Sequence, residues 1–132
     1  MQNQASQNLF GAFGGEIDTA SLFSSVLLIE DEEAHARLIS RALSGVVGEV
    51  VHVTSGAAAL QTIESTMVEL VLCDLNLPDV SGVQLLRAIH EARPDLPVIV
   101  MPAASSLEDA VNAMREGAWD YMVKQFSNDL VE

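Results

Sequence analysis

Positive charge is scarce in this chain. Six Lys and Arg stand against 19 Asp and Glu among 132 residues, a formal net charge of −13. That balance opposes binding to phosphate backbones or anionic lipid, so neither nucleic acid nor a membrane surface is expected as a direct partner. Cysteine is nearly absent too. A lone Cys73 cannot close an internal disulfide, and in its apolar run it reads as a small buried thiol in a reducing compartment. No apolar run approaches the ~18 residues of a membrane span. The opening residues, Met1 to Asn8, carry no Lys or Arg and lead into no long apolar stretch, which argues against a secretory signal. The expectation is a soluble, cytoplasmic domain. There is no Gly-rich phosphate loop and no Ser-His-Asp arrangement, and His35, His52 and His90 are dispersed without ligand spacing, so they read as ordinary helix or strand positions.

What is present is apolar material in short, regular pieces. Apolar residues make up 49% of the chain, enough for one core, and the length is too small for two independent domains. Residues 1–24 are rich in Gln, Asn, Ser and Gly and read as a flexible leader; Leu9, Phe10, Phe13, Leu22 and Phe23 are among their bulky apolar residues. From residue 25 onward, β-rich runs alternate with helical patterns. The expected strands are Val26–Glu30, Val50–Val53, Leu70–Asp74, Val98–Met101 and Tyr121–Val123. A helix is expected from Glu33 to Leu43, with Leu38, Ile39 and Ala42 on one side. Further helical periods run through Gly56, Ala59, Leu60, Ile63 and Met67, through Gly82, Leu85, Leu86 and Ile89, and through Leu107, Ala110, Val111 and Met114.

The punctuation agrees. Ser105 with Glu108 fits a capping box, Gly117 fits a left-handed helix stop, and Pro94 and Pro97 force a turn before the fourth strand. Such β-α repetition predicts an α/β domain with a mainly parallel sheet and helices on both faces. Ser127-Asn128-Asp129 opens a last helix that stops after about one turn at Glu132, so the native protein is expected to continue.

Two of these strands end in carboxylates. Asp74 closes Leu70-Val71-Leu72-Cys73, and Glu30-Asp31 closes Val26-Leu27-Leu28-Ile29, while Lys124 follows Tyr121-Met122-Val123. The carboxyl edge of an α/β sheet is where such groups meet in a ligand crevice. Three carboxylates brought together repel unless a cation or protons offset them, and hard oxygen donors suit Mg²⁺ or Mn²⁺. One or two carboxylates and a backbone carbonyl would leave coordination positions for a phosphoryl oxygen. The plainer reading of the same residues is solvated acids at strand ends.

At this point the chain from about Ser25 to Phe126 resembles a response-regulator receiver domain of the CheY-like superfamily, the phosphoacceptor module of bacterial two-component signalling. The matching pieces are Leu28 to Glu33, Val71 to Gly82, Pro97 to Met101 and Gly117 to Lys124. The acid-x-x-x-Pro-x-x-x-Gly pattern from Asp74 through Pro78 to Gly82 is the most specific. The resemblance implies a doubly wound, flavodoxin-like, five-stranded parallel sheet in the order 2-1-3-4-5. The receiver would occupy residues 25–132 with its final helix truncated. Asp74 is then the acceptor of a phosphoryl group from a histidine kinase or phosphotransfer protein. Glu30, Asp31 and Asp74, with the backbone carbonyl of Asn76, would hold Mg²⁺ or Mn²⁺, and Lys124 would pair with the phosphoryl group. Tyr121 matches the switch aromatic. Any enzymatic activity would be limited to Mg²⁺-dependent self-phosphorylation and autodephosphorylation at Asp74. An output domain or downstream effector is implied as partner, with output or homodimerisation through the fourth helix and fifth strand, and kinase docking on the first helix around His35 to Leu43.

Two positions depart from the family pattern. Pro102 stands where the family has a Thr or Ser hydroxyl, and proline supplies neither a hydroxyl nor an amide donor, leaving the Ala103 amide as the neighbouring phosphoryl contact. Gln125 stands where Lys-Pro-Phe carries a cis peptide, a form that costs a non-proline residue about 2.5–4 kcal/mol. Pro102 therefore keeps a second reading open: a pseudo-receiver, a protein-interaction module whose signalling is independent of phosphorylation or atypical. A haloacid-dehalogenase-type hydrolase fits poorly, because Asp74 ends the third strand and is followed by Asn76 rather than an acid.

Overall fold

The computed structural model describes residues 23–102 and 107–123. Its elements alternate strictly: β1 Phe23–Ile29, α1 Glu33–Leu43, β2 Val47–Val53, α2 Gly56–Ser65, β3 Leu70–Asp74, α3 Gly82–Ala92, β4 Val98–Met101, α4 Leu107–Arg115 and β5 Asp120–Tyr121. Every strand pairing is parallel, and the sheet order is β2-β1-β3-β4-β5, as the resemblance implied. Parallel strands need crossovers, and helices supply them here, so every strand's carboxyl end lies on the same edge.

The interior strands are made of Val, Leu and Ile because both of their faces are covered. Alternation along the strands divides the core in two. Val26, Leu28, Leu70, Leu72, Ile99 and Met101 face one side, where α1 adds Ala36, Ile39 and Leu43. Leu27, Ile29, Val71, Cys73, Val98 and Val100 face the other, packed by residues of α2, α3 and α4. Each such aliphatic side chain, fully buried, contributes about 1.5–3 kcal/mol. Register then sets the site. Ile29 pairs with Cys73 and Asp74 with Met101, so Glu30, one step past Ile29, emerges beside Asp74.

The helix ends follow local chemistry. Ser55 caps α2 by accepting from the Ala58 amide at 3.2 Å, and Ser81 caps α3 by accepting from the Gln84 amide at 3.1 Å. Gly117, at φ +104°, closes α4 as expected from its position.

Several boundaries differ from the sequence expectation. β1 begins at Phe23, inside the segment assigned to the leader, and β2 begins at Val47 because edge pairing carries the strand through Gly48 and Glu49 despite their polarity. β5 is Asp120–Tyr121 rather than Tyr121–Val123, its pairing with β4 spanning only those residues. Met67 lies past the end of α2 and is exposed. On α4 the helical period holds, but of its members only Ala110 packs inward, together with Ala113, while the larger Leu107, Val111 and Met114 are exposed. The remaining leader, residues 1–22, together with Ser105 of the capping box, the Lys124–Gln125 peptide and the truncated last helix, lies outside the described residues.

Candidate functional site

At the carboxyl edge, Glu30 is fully buried, Asp74 is 3% exposed and Asp31 faces solvent. One carboxylate oxygen from each lies within 4.8 Å of the others. Two of these groups have little access to water, and a cation or protons would offset repulsion between them. The donors are all hard oxygens, so they fit Mg²⁺ or Mn²⁺ rather than a thiophilic metal.

Neighbouring groups hold the acids in place. One Glu30 oxygen, Oε2, accepts from the Glu32 amide at 3.1 Å. The Glu30 backbone is fixed on both sides, its N–H donating to the Val53 carbonyl at 3.0 Å and its carbonyl lying 2.8 Å from His52 Nε2. His35 stands between Glu30 and Glu32, with Nδ1 3.9 Å from Glu30 Oε1 and Nε2 3.4 Å from Glu32 Oε2. Asp74 Oδ1 accepts from the Asn76 amide at 3.1 Å. Next to it, burial pushes the Cys73 thiol far above its ordinary range, and the negative charges of Asp74 and then Glu30 push it the same way. The thiol donates to the Asp74 carbonyl oxygen at 3.2 Å.

The segment after Asp74 is a closed loop. The Gly82 amide donates to the Leu75 carbonyl at 3.1 Å, and Asn76 bridges Ser81 in antiparallel fashion. A Cβ at Gly82 would lie 2.5 Å from the Leu75 Cα, so only glycine fits where α3 begins against the strand end. At the loop's far side Asp79 accepts from the Gly56 amide at 2.9 Å and from the Ala57 amide at 3.0 Å, and these two bonds, in that order, lower its pKa. Beside the loop an open cleft of about 640 Å³ is lined by residues including Asp31, Asn76, Leu77, Pro78 and Gln84.

Of the residues singled out from the sequence, Glu30, Asp31, Asp74 and Asn76 come together. Pro102 is buried directly after Met101, the register partner of Asp74. Tyr121 is 41% exposed and lines an apolar groove of about 330 Å³ with Leu107, Ala110, Val111, Met114 and Arg115. Lys124 and Ala103 lie outside the described residues. His35 and His52, read as ordinary positions, both meet Glu30. Asp79 went unnoticed except as part of a motif, because its partners are 23 and 22 residues away.

A parallel sheet in this order, with a carboxylate cluster at its carboxyl edge, defines a doubly wound α/β domain with a candidate metal site. Residues 26–132 match the family model described as the response regulator receiver domain, and the chain belongs to that family. It is the receiver of a two-component response regulator, and receiver domains generally bind Mg²⁺ through acidic residues such as those clustered here. The response regulator protein FleR of Pseudomonas aeruginosa is 42% identical over 103 residues, 78% of this chain and 22% of that protein. The transcriptional regulatory protein ZraR of Escherichia coli K12 is 34% identical over 104 residues, 79% of this chain and 24% of that one. Among solved structures, the receiver domain of NtrX from Brucella abortus superposes with a TM-score of 0.73 at 30% identity, covering 80% of this chain and 90% of that one. The chain thus spans about a quarter of the length of these curated relatives. No described helix is long and apolar enough to cross a membrane.

Proposed function

We propose that Asp74 is the phosphoacceptor of a two-component phosphorelay. It takes the phosphoryl group of a histidine kinase or phosphotransfer protein and passes the signal to an output domain or effector. The observation that carries this reading is the meeting of Glu30, Asp31 and Asp74 oxygens within 4.8 Å at the end of a buried strand. In the transfer, an Asp74 oxygen bonds to phosphorus as the donor's phosphorus–nitrogen bond breaks, and the leaving imidazole keeps the electron pair and takes up a proton. The Asn76 amide holds one Asp74 oxygen and so fixes the plane of the carboxylate. Glu30 and Asp31, with Asp74 and the Asn76 carbonyl, are the residues assigned to hold Mg²⁺, which when bound neutralises charge on the phosphoryl oxygens. Lys124 is assigned the remaining counter-charge. Chemistry beyond self-phosphorylation and autodephosphorylation is not part of this reading. The receiver unit is taken to run through residue 132, in the cytoplasm, with α4 and β5 as its output or homodimer face.

Incubating the chain with Mg²⁺ and a small phosphodonor should add the mass of one phosphoryl group, and Asp74→Ala should remove that gain. No adduct at saturating donor would sink the assignment. Pro102 supports a second reading, a pseudo-receiver that binds partners without phosphorylation, because the residue following the β4 register partner of Asp74 has no hydroxyl. Under that reading, Asp74→Ala leaves partner affinity unchanged.

A further inference from the structure

Asp79 has no place in the carboxylate cluster, yet its contacts are the most directed of any exposed acid described here. Both of its oxygens are engaged, Oδ1 by the Gly56 amide at 2.9 Å and Oδ2 by the Ala57 amide at 3.0 Å. These are two of the four amides that a first helical turn leaves without intrahelical partners. Helix α2 already has its own cap, since Ser55 takes the Ala58 amide. Asp79 is therefore an addition from a distant part of the chain, and it ties down the loop as much as it completes the helix. The two segments also meet sterically at this point: a Cβ at Gly56 would lie 2.3 Å from the side-chain Cγ1 of Val80.

We propose that Asp79 is a positioning residue for the acceptor, clamping the loop that follows Asp74 to the first turn of α2. The proposal rests on the reading of Asp74 as phosphoacceptor. The loop between them is short and braced, by the Gly82–Leu75 hydrogen bond and the Asn76–Ser81 bridge. A shift at Asn76 therefore carries to Asp79 instead of dissipating. Phosphorylation supplies such a shift. The Asn76 amide donates to a carboxyl oxygen of Asp74, and in the acyl phosphate that acceptor becomes an ester-like carbonyl or a phosphoryl-bound oxygen, a weaker partner than a carboxylate. The state of Asp74 is thus felt at Gly56 and Ala57 by a route that does not pass through Pro102.

The test compares the wild-type chain with Asp79→Ala and Ser55→Ala, using a small phosphodonor and Mg²⁺ at a temperature where circular dichroism shows all three folded. Ser55→Ala removes a cap from the same helix without touching the loop, so it reports the effect of helix capping alone. Asp79→Ala should slow phosphorylation about tenfold or more, as a misplaced reacting group does, while Ser55→Ala keeps the wild-type rate. In amide spectra, Gly56 and Ala57 should shift on phosphorylation of the wild type and of Ser55→Ala, and stay still in Asp79→Ala. Equal rates in wild type and Asp79→Ala, or equal slowing in both variants, would overturn the clamp. A wild-type chain that forms no adduct would overturn the acceptor reading, and the clamp's role with it.

Discussion

Gly82→Ala tests how the fold sets Asp74, the proposed acceptor. The added methyl carbon would sit 2.5 Å from both Cα and Cδ2 of Leu75 and 3.1 Å from the Asp74 carbonyl oxygen. Carbon atoms in comfortable contact are ~3.5–4.0 Å apart, so the deficit is about 1 Å. The Leu75 methyl is the end of a side chain, but its Cα moves only with the backbone, and that backbone is bonded to Asp74. Overpacking of this kind costs about 1–3 kcal/mol. The better helix propensity of alanine offsets at most ~1 kcal/mol, and less here because Gly82 is the first residue of α3. A net loss of about 1–2 kcal/mol corresponds to a fall in Tm of roughly 5–10 °C for a domain of this size. A displacement near 1 Å beside a reacting group also costs about 100-fold in rate. Gly45→Ala is the control. Gly45 has φ +86° with nothing within 4 Å of a built Cβ, so alanine there is strained through its backbone alone, by about 1 kcal/mol. It also lies between α1 and β2, at the opposite edge of the sheet from Asp74. Thermal melts and phosphorylation rates should therefore separate the two: both variants melt earlier, and only Gly82→Ala loses rate. A Gly82→Ala protein that melts and reacts like wild type would refute the steric argument, and one that melts early but reacts normally would refute the coupling to Asp74.

Three further outcomes are expected. Asp31→Ala, at an exposed site, should weaken Mg²⁺ binding measured by calorimetry without lowering Tm, whereas Glu30→Ala should lower both, because the Glu32 amide loses its acceptor and a fully buried space opens. The Cys73 thiol, raised first by burial and then by Asp74 and Glu30, should resist alkylation in the folded chain and react only in denaturant; labelling under native conditions would contradict its burial. Asp79 and Glu116 both have folded pKa values below their ordinary 3.8 and 4.5, Asp79 through the Gly56 and Ala57 amides and Glu116 through its hydrogen bond with Arg87. Their stabilisation is therefore complete above those ordinary values and is lost as pH falls through the lowered ones. An acid titration followed by circular dichroism should show Asp79→Ala losing less stability below about pH 4 than the wild type.

The parts of the fold that were legible in the sequence are those whose environment is uniform. Leu70–Asp74 and Val98–Met101 are covered on both faces, so burial writes itself as unbroken apolar runs, and α1 shows its bounds by amphipathic period. At the edges the signal fades. β2 pairs on one side only and admits Gly48 and Glu49, and β5 pairs through Asp120 and Tyr121 alone. On α4 the period was real, but period alone does not say which face is inside. The alanines pack close to the sheet, leaving Leu107, Val111 and Met114 on the surface beside Tyr121.

The site divides in the same way. Strand-end carboxylates were legible because parallel topology sends every carboxyl end to one edge, and register then aligns Glu30 with Asp74. The contacts of Asp79 with α2, and of His35 and His52 with Glu30, leave no periodic trace, since side chains meeting across a fold obey no spacing rule. The loop motif itself has a geometric meaning that its letters conceal. Glycine at residue 82 is required by the nearness of Leu75, Ser81 caps the helix that follows, and Asp79 reaches the helix before. Between them these residues tie the end of β3, where Asp74 stands, to both α2 and α3. Pro102, by contrast, brings no hydroxyl to the end of β4. One polar connection from Asp74 runs through the Asn76 amide into this loop. Under the proposed acceptor reading, this loop gives Asp74 a bonded route to the first turn of α2 that does not pass through Pro102 or Tyr121.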